Sequence, residues 1–217
     1  MRTIQPTLLA SDLEGVLIPE IWVAVAEQTG IEQLFLTTRD IADYAELMAL
    51  RLRVLAEHKL GLADIQAVVA TMEPLPGAVG LLDWIRARTR LIVITDSFYE
   101  FITPLLPKLG YPTVFAHSLQ TDEAGMIRGY QIRLPHGKRK AVHSLKALGF
   151  RVMAFGDSYN DTAMLAEADF GVLFQPPANV MADFPDLPVS YDYANLVAQI
   201  DRFLVEDLDP QITQIKN

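Results

Sequence analysis

The sequence predicts an α/β protein on a mainly parallel sheet, and three observations carry the prediction. Short β-branched runs alternate with amphipathic stretches; three of those runs end directly in polar clusters; and one purely helical segment separates the first run from the rest. Candidate core strands lie at Thr7–Ser11, Leu91–Thr95, Val152–Phe155 and Gly171–Phe174. The first three lead into Asp12, Thr95-Asp96-Ser97 and Gly156-Asp157-Ser158. Ligands of open parallel sheets bind outside the carboxyl ends of the strands, so these clusters should converge on one crevice. From Pro19 to Thr71 the pattern is helical: Asp43 can cap a helix running to about His58, and Ala63–Thr71 continues in the same style. Glu73-Pro74-Leu75-Pro76-Gly77 closes that segment, because proline disfavours helix for itself and for its predecessor. The expected division is a core of residues 1–15 and 75–217 with an inserted helical cap, 16–74. Ser118–Leu134 holds Asp122-Glu123-Ala124-Gly125 between two alternating runs, which reads as a β-hairpin or as a loop.

Composition excludes several kinds of function. The 217 residues are 51% hydrophobic and 21% charged, enough apolar surface for a sizeable core. With 18 basic and 27 acidic side chains the net charge is −9, and no basic block exceeds Lys138-Arg139-Lys140. That field repels nucleic acid and anionic membranes, so neither is an expected partner. The absence of cysteine removes disulfides, thiolate metal sites and a thiol nucleophile, leaving catalysis to oxygen and nitrogen groups. The apolar run Thr7–Ala10 is too short for a signal peptide, and no window of about 18 apolar residues spans a bilayer. A cytoplasmic location is the expectation.

Chemistry concentrates at the strand ends. Asp12-Leu13-Glu14 alone is weak evidence, since surface turns often hold such pairs, but Gly156-Asp157-Ser158-Tyr159-Asn160-Asp161 follows another apolar strand and opens another helix. Four carboxylates would then face one crevice, and like charges at close range raise each other's pKa until protons or a cation compensate. Only hard oxygen donors are present and no histidine pair has ligand spacing, so Mg2+ is the natural ion. His58, His117, His136 and His143 are scattered and read as surface or satisfied core residues.

Two basic residues are out of place. Ala141, Val142, Leu145 and Leu148 form an apolar stripe ending at Gly149, which puts Lys138-Arg139-Lys140 in the first helical turn. Cations there oppose the helix dipole at about 0.3–1 kcal/mol each, a conflict that a nearby anion would remove. At about 100° per residue, Tyr44, Leu47, Met48, Arg51, Val54 and Leu55 share a helix face. An arginine inside an apolar stripe needs a carboxylate or phosphate, so Arg51 pairs with a core Asp or Glu, or clamps a substrate anion if the stripe faces the crevice.

In this order, these residues resemble the haloacid dehalogenase (HAD) superfamily of aspartyl-phosphate enzymes. The match is an Asp-x-acid motif on the first strand (Asp12, Glu14), a Thr ending the next core strand (Thr95), a Lys opening a later helix (Lys138), and G-D-S-x-N-D (Gly156–Asp161). Within the superfamily the chain is most similar to the phosphoserine phosphatases, and through D-L-E-G-V-L-I-P-E and T-D-S-F-Y-E-F to their phosphoserine:homoserine phosphotransferase branch. The resemblance implies a HAD-like three-layer, Rossmann-type core. It also implies that Asp12 attacks phosphorus and that Glu14 protonates the departing oxygen, then deprotonates water or homoserine. Mg2+ would sit on Asp12, the Glu14 carbonyl and Asp157, with Asp161 in support. Thr95, Lys138, Asn160 and the backbone amide of Asp96 would hold the phosphoryl oxygens, while Arg51 and Glu20 bind the amino acid's carboxylate and ammonium. The partner is thus a small phosphorylated amino acid, and a homodimer is allowed.

Three positions depart from the family pattern. Glu14 stands where Asp is usual, Asp96-Ser97 where glycines are frequent, and Glu20 comes one residue early; the Asp96 side chain receives no role. The alternative is a HAD phosphatase for another small phosphorylated metabolite. A receiver-like phosphoaspartate module fits poorly, because its phosphorylated Asp follows a middle strand in a chain about half as long.

Overall fold

A strand buried on both faces reads as a continuous apolar run, and β1 (Thr7–Ser11) is such a strand, with Leu9 packed into one core cluster and Leu8 and Ala10 into another. It lies at the centre of a computed structural model that describes residues 5–37, 40–41 and 43–206. After β1 the chain forms α1 (Ile21–Thr29), a 3-10 turn (Glu32–Phe35), α2 (Tyr44–Glu57) and α3 (Leu62–Thr71). The Asp43 side chain caps α2 by accepting from the Glu46 amide at 2.9 Å. α4 (Ala78–Arg86) leads into β2 (Arg90–Phe98), short α5 (Tyr99–Ile102), β3 (Thr113–Thr121) and β4 (Ile127–Gln131). Then follow α6 (Gly137–Ala147), β5 (Arg151–Gly156), α7 (Tyr159–Glu167), β6 (Phe170–Phe174), α8 (Ala178–Asp183), β7 (Val189–Ser190) and α9 (Tyr193–Glu206).

The seven strands form one sheet in the order β4-β3-β2-β1-β5-β6-β7, parallel except for the β3–β4 pair. Apolar side chains of α4 and α9 fill one face and those of α6, α7 and α8 the other, which makes three layers. The chain runs outward from β1 through β2 and returns to β5 on the other side, so the order reverses at β1 and opens a crevice at its carboxyl end. Helices α1, α2 and α3 pack on the neighbouring 3-10 turn, on α5 and on β4. Among the described residues no helix is long and apolar enough to cross a membrane.

The segment 118–134 is resolved as a hairpin in part: β3 pairs antiparallel with β4 through a turn in which the Gly125 amide donates to Asp122 O at 2.9 Å. Its first arm begins earlier than the alternating pattern, at Thr113, because the leading half of β3 pairs parallel with β2. The strand expected to stop at Thr95 runs on to Phe98, so the Thr95-Asp96-Ser97 cluster lies inside β2. There the register shifts: β2 advances from Ile94 to Phe98 while β3 advances only from Phe115 to His117. The surplus residues bulge out of the ladder at the crevice.

Two glycines separate helix entropy from packing. A Cβ at Gly80, on the exposed face of α4, would meet nothing, whereas one at Gly171 on β6 would collide with the backbone carbonyl of Leu165 in α7. Gly80→Ala should therefore stabilise the fold by about 0.8–1 kcal/mol. Gly171→Ala should cost about 1–3 kcal/mol through forced separation of α7 from the sheet. Denaturant melts of both variants check the pair; equal effects would contradict the close α7–β6 approach.

Candidate active site

The registers of β1 and β5 put Ser11, the last residue of β1, beside Phe155, one residue before the end of β5, and beyond each strand an aspartate, Asp12 or Asp157, enters the crevice. Asp12 is still tied to the sheet, its amide donating to Phe155 O at 3.0 Å, and it is buried. A tight turn follows, with the amides of Leu17 and Ile18 both on Leu13 O and the Gly15 amide on Ile18 O. Gly15 has φ +74, and a Cβ there would stand 2.6 Å from the Asp157 carboxylate, so only glycine supplies both the left-handed backbone and the close approach. Gly156, without a left-handed backbone, allows the same close approach for Asp161, whose carboxyl group occupies the place of the missing side chain.

Lys138 joins three elements. Its ammonium lies 2.7 Å from Asp161 Oδ1, 2.9 Å from Asp12 Oδ2 and 3.7 Å from Asp96 Oδ2. The dipole conflict foreseen for the first turn of α6 is thus met for Lys138 by buried aspartates and for Arg139 by Glu167. Asp161 serves twice, because its Oδ2 accepts from the amides of Asp157 and Ser158 and closes a capping box at the start of α7. Asn160 Nδ2 donates to Asp96 Oδ2 at 3.0 Å, and the Thr95 hydroxyl, one strand over, accepts from the Ser97 amide.

Acid is in surplus. Burial, reinforced by Asp161 and Asp157, pushes the Asp12 carboxyl well up, against the pull of Lys138. Burial likewise raises Asp157 to about 7, with Asp161 and Glu20 adding to it. Burial would lower the Lys138 ammonium, but Asp12, Asp161 and Asp96 outweigh it and hold the group charged. Oxygens of Asp12, Asp157 and Asp161 lie within 4.8 Å of one another. An all-oxygen donor set carrying this much negative charge beside one lysine fits a hard divalent cation such as Mg2+.

A second polar group lies toward α1 and α2. Glu14 accepts from the Ile21 amide at 2.8 Å and hydrogen-bonds the Glu20 carboxyl; burial raises Glu14. Glu20 is exposed as a residue, yet its carboxyl turns in toward Glu14 and is pushed up to about 7 by lost solvent and by that neighbour. Arg51 lies on the buried face of α2, as the periodicity predicts, with Leu47, Met48, Val54 and Leu55. Its Nη2 donates to Leu36 O at 3.0 Å, the guanidinium stacks 4.5 Å from the Trp22 ring, and Nε has no partner. Among the described residues no carboxylate pairs with it, so the core ion pair is not formed. Burial lowers it to about 10, while Tyr44, Glu14 and Glu20 raise it.

The structure therefore gathers Asp12, Asp157, Asp161, Lys138, Asp96 and Asn160 through direct contacts, and sets Glu14, Glu20 and Arg51 within electrostatic reach of one another. The sequence gives no sign of Trp22, which supports Arg51, and reads His117 as a surface or satisfied core residue, whereas it faces Asp96 at 3.6 Å. Neither carries a motif; only the i, i+2 alternation of β3 could have marked His117 as inward-facing.

Comparison with known proteins agrees with this geometry. Residues 7–169 match the family model described as haloacid dehalogenase-like hydrolase. A phosphoserine phosphatase of Pseudomonas syringae is 54% identical over 85% of this chain and 78% of its own length. The phosphoserine phosphatase ThrH of Pseudomonas aeruginosa is 52% identical over 85% of this chain and 90% of its own. The crystal structure of an apo phosphoserine phosphatase superposes with a TM-score of 0.70 at 19% identity, covering 89% of this chain and 98% of that one. A phospho-aspartyl intermediate analogue of phosphoserine phosphatase gives 0.71 at 18%, covering 90% and 99%. These matches, on a chain whose acids and lysine already meet at the reversal of the sheet, place it in the haloacid dehalogenase-like hydrolase family, with the two Pseudomonas phosphoserine phosphatases as its relatives.

Proposed function

We propose that this enzyme is a Mg2+-dependent phosphoserine phosphatase that forms an aspartyl phosphate on Asp12, and that segment 16–74 acts as a cap carrying substrate recognition. The names of the two relatives support the substrate. The observation that carries the reading is Arg51, a buried guanidinium with an unpartnered Nε and, among the described residues, no carboxylate paired with it, held beside Glu14 and Glu20. A buried cation left this way is incomplete until an anion arrives, and a carboxylate fits its fork.

Asp12, Asp157, the carbonyl of Glu14 and, in support, Asp161 would hold Mg2+, whose charge there would offset that of the transferring phosphoryl group. Lys138, the Asn160 amide, the Thr95 hydroxyl and the backbone amide of Asp96 bind the phosphoryl oxygens. Arg51 takes the substrate carboxylate and Glu20 its ammonium, which places the ester oxygen near Glu14. An Asp12 carboxylate oxygen attacks phosphorus as the bond from phosphorus to the serine oxygen breaks. Glu14, whose carboxyl burial shifts toward the protonated form, gives a proton to that oxygen and serine leaves. Glu14, now ionised, takes a proton from water, whose oxygen attacks phosphorus; the bond to Asp12 breaks and inorganic phosphate is released. Homoserine has the same ammonium and carboxylate as serine, so the same clamp would set its hydroxyl at phosphorus in place of water.

Arg51→Ala should raise KM for phosphoserine at least about tenfold and leave phosphoethanolamine, which lacks the carboxylate, nearly unchanged. Steady-state phosphate release on both substrates reads this; equal losses would make Arg51 structural.

The raised acids set a pH dependence. Asp157 moves from an ordinary 3.8 to about 7, so between those values the folded state keeps a proton that the unfolded state has lost. This contribution to stability is complete below 3.8 and disappears as pH rises through about 7. In EDTA, stability should decline between about pH 5 and 7, and Mg2+ should restore it most above pH 7. Denaturant melts with and without the ion test this, and a Mg2+ effect that shrank with rising pH would contradict it.

For the acceptor, ³¹P NMR with phosphoserine, Mg2+ and increasing homoserine should show O-phosphohomoserine growing beside inorganic phosphate. Inorganic phosphate as sole product at saturating homoserine would remove the transfer reaction.

A further inference from the structure

The mechanism above uses the backbone of Asp96 and leaves its side chain, and His117, without work. A carboxylate at the edge of a phosphate pocket is costly, since it repels the anion the pocket must bind. Yet Asp96 touches two of the residues that hold the phosphoryl group, accepting from Asn160 Nδ2 at 3.0 Å and lying 3.7 Å from Lys138 Nζ. Asn160 is fixed at its other end as well, because its Oδ1 accepts from the Ser158 hydroxyl. Its amide orientation is thereby set, with one N–H on Asp96 and one left for a ligand. Lys138 has three protons, and its three nearest carboxylates are Asp161, Asp12 and Asp96, the last at the longest distance.

Behind Asp96 stands His117, a buried inward-facing residue of β3 brought opposite Phe98 by the bulge in β2. The backbone amide of Arg133 donates to its Nδ1 at 3.3 Å, so Nδ1 carries no proton and Nε2 does. That Nε2–H faces Asp96 Oδ1 at 3.6 Å, a charge–dipole contact longer than a formed hydrogen bond and of the kind that tightens when a ligand arrives. Burial keeps the ring neutral; of the charges around it Asp96 favours protonation, whereas Arg133 and Lys138 oppose it. The Arg133 guanidinium itself lies over the Phe115 ring, leaving only its backbone to the histidine.

We propose that Asp96 and His117 are a positioning pair for the phosphoryl pocket: His117, as its Nε2–H tautomer, holds the Asp96 carboxylate, and Asp96 fixes the Asn160 amide and the third proton of Lys138. The proposal rests on the phosphoryl-transfer reading of the site and is separable from the choice of phosphoserine. Asp96 offers its charge to two donors that must not wander, and His117 draws that charge back from the incoming anion.

The test uses Asp96→Asn, His117→Asn, His117→Gln and the double variant Asp96→Asn/His117→Asn, with Mg2+ present. Glutamine sets an amide nitrogen where Nε2 stands, whereas asparagine reaches only the Nδ1 position. kcat and KM are measured on phosphoserine and on p-nitrophenyl phosphate, which has no amino-acid groups, and the Kd of inorganic phosphate is measured by calorimetry. Asp96→Asn and His117→Asn should each lower kcat/KM on both esters and weaken phosphate binding about tenfold. The double variant should be little worse than either, because the two residues act as a unit, and His117→Gln should recover most of the loss. Losses that multiply to about a hundredfold in the double variant, unchanged kinetics in Asp96→Asn, or no recovery by glutamine would overturn the pair. If the His117 variants fail to fold, Asp96→Asn decides through the two esters and phosphate binding. Turnover of p-nitrophenyl phosphate but not phosphoserine would defeat the substrate assignment alone, since the pair is then judged on the aryl ester and on phosphate.

Discussion

The buried ammonium of Lys138 is the contact on which the site depends. It ties Asp12 at the end of β1 to Asp161 at the start of α7, at 2.9 and 2.7 Å, from the first turn of α6. Three elements far apart in sequence are thereby locked at one point, and all three groups are almost wholly shielded from water. Such a cluster is weak evidence for stability, because desolvation offsets most of the Coulombic gain, but removing the lysine would strand two buried acids at a cost of about 3–5 kcal/mol. Its value is positional: Asp12, proposed as the nucleophile, the helix cap Asp161 and Lys138 hold each other in register.

Glycine makes the cluster possible. Gly15 and Gly156 leave the volumes into which the carboxyl groups of Asp157 and Asp161 fit, and Gly15 supplies a left-handed turn in addition. The sheet supplies the rest, since parallel pairing of β1 with β2 and β5 delivers Asp12, Thr95 and Asp157 to the same edge. A site so packed with acid stays poised for protons or a cation, and burial with the neighbouring acids pushes Asp157 and Glu20 up to about 7.

Much of this was legible in the sequence, for reasons that differ by element. β1 and β5 announce themselves as apolar runs broken by aspartates, and the α2 stripe placed Arg51 on the buried face at once. The first half of β3 and the two-residue β7 were not legible: each owes its pairing to neighbouring strands, and neither has enough period to stand alone. The bulge that carries Thr95 and Asp96 is a mismatch between β2 and β3, a property of the pair and of neither strand. His117 was hidden for a similar reason. Its meaning comes from the Arg133 amide and Asp96, sixteen residues after it and twenty-one before it.

The central claim is that Asp12, held by Lys138, takes the phosphoryl group covalently. Mixing the enzyme and Mg2+ with phosphoserine, quenching in acid within one turnover and mapping the peptides by mass spectrometry tests it directly. One phosphoryl group on Asp12, labile to hydroxylamine and missing from Asp12→Asn, is the predicted result. Rapid phosphate release with Asp12 unmodified, or a phosphoryl group on another residue, would contradict the account.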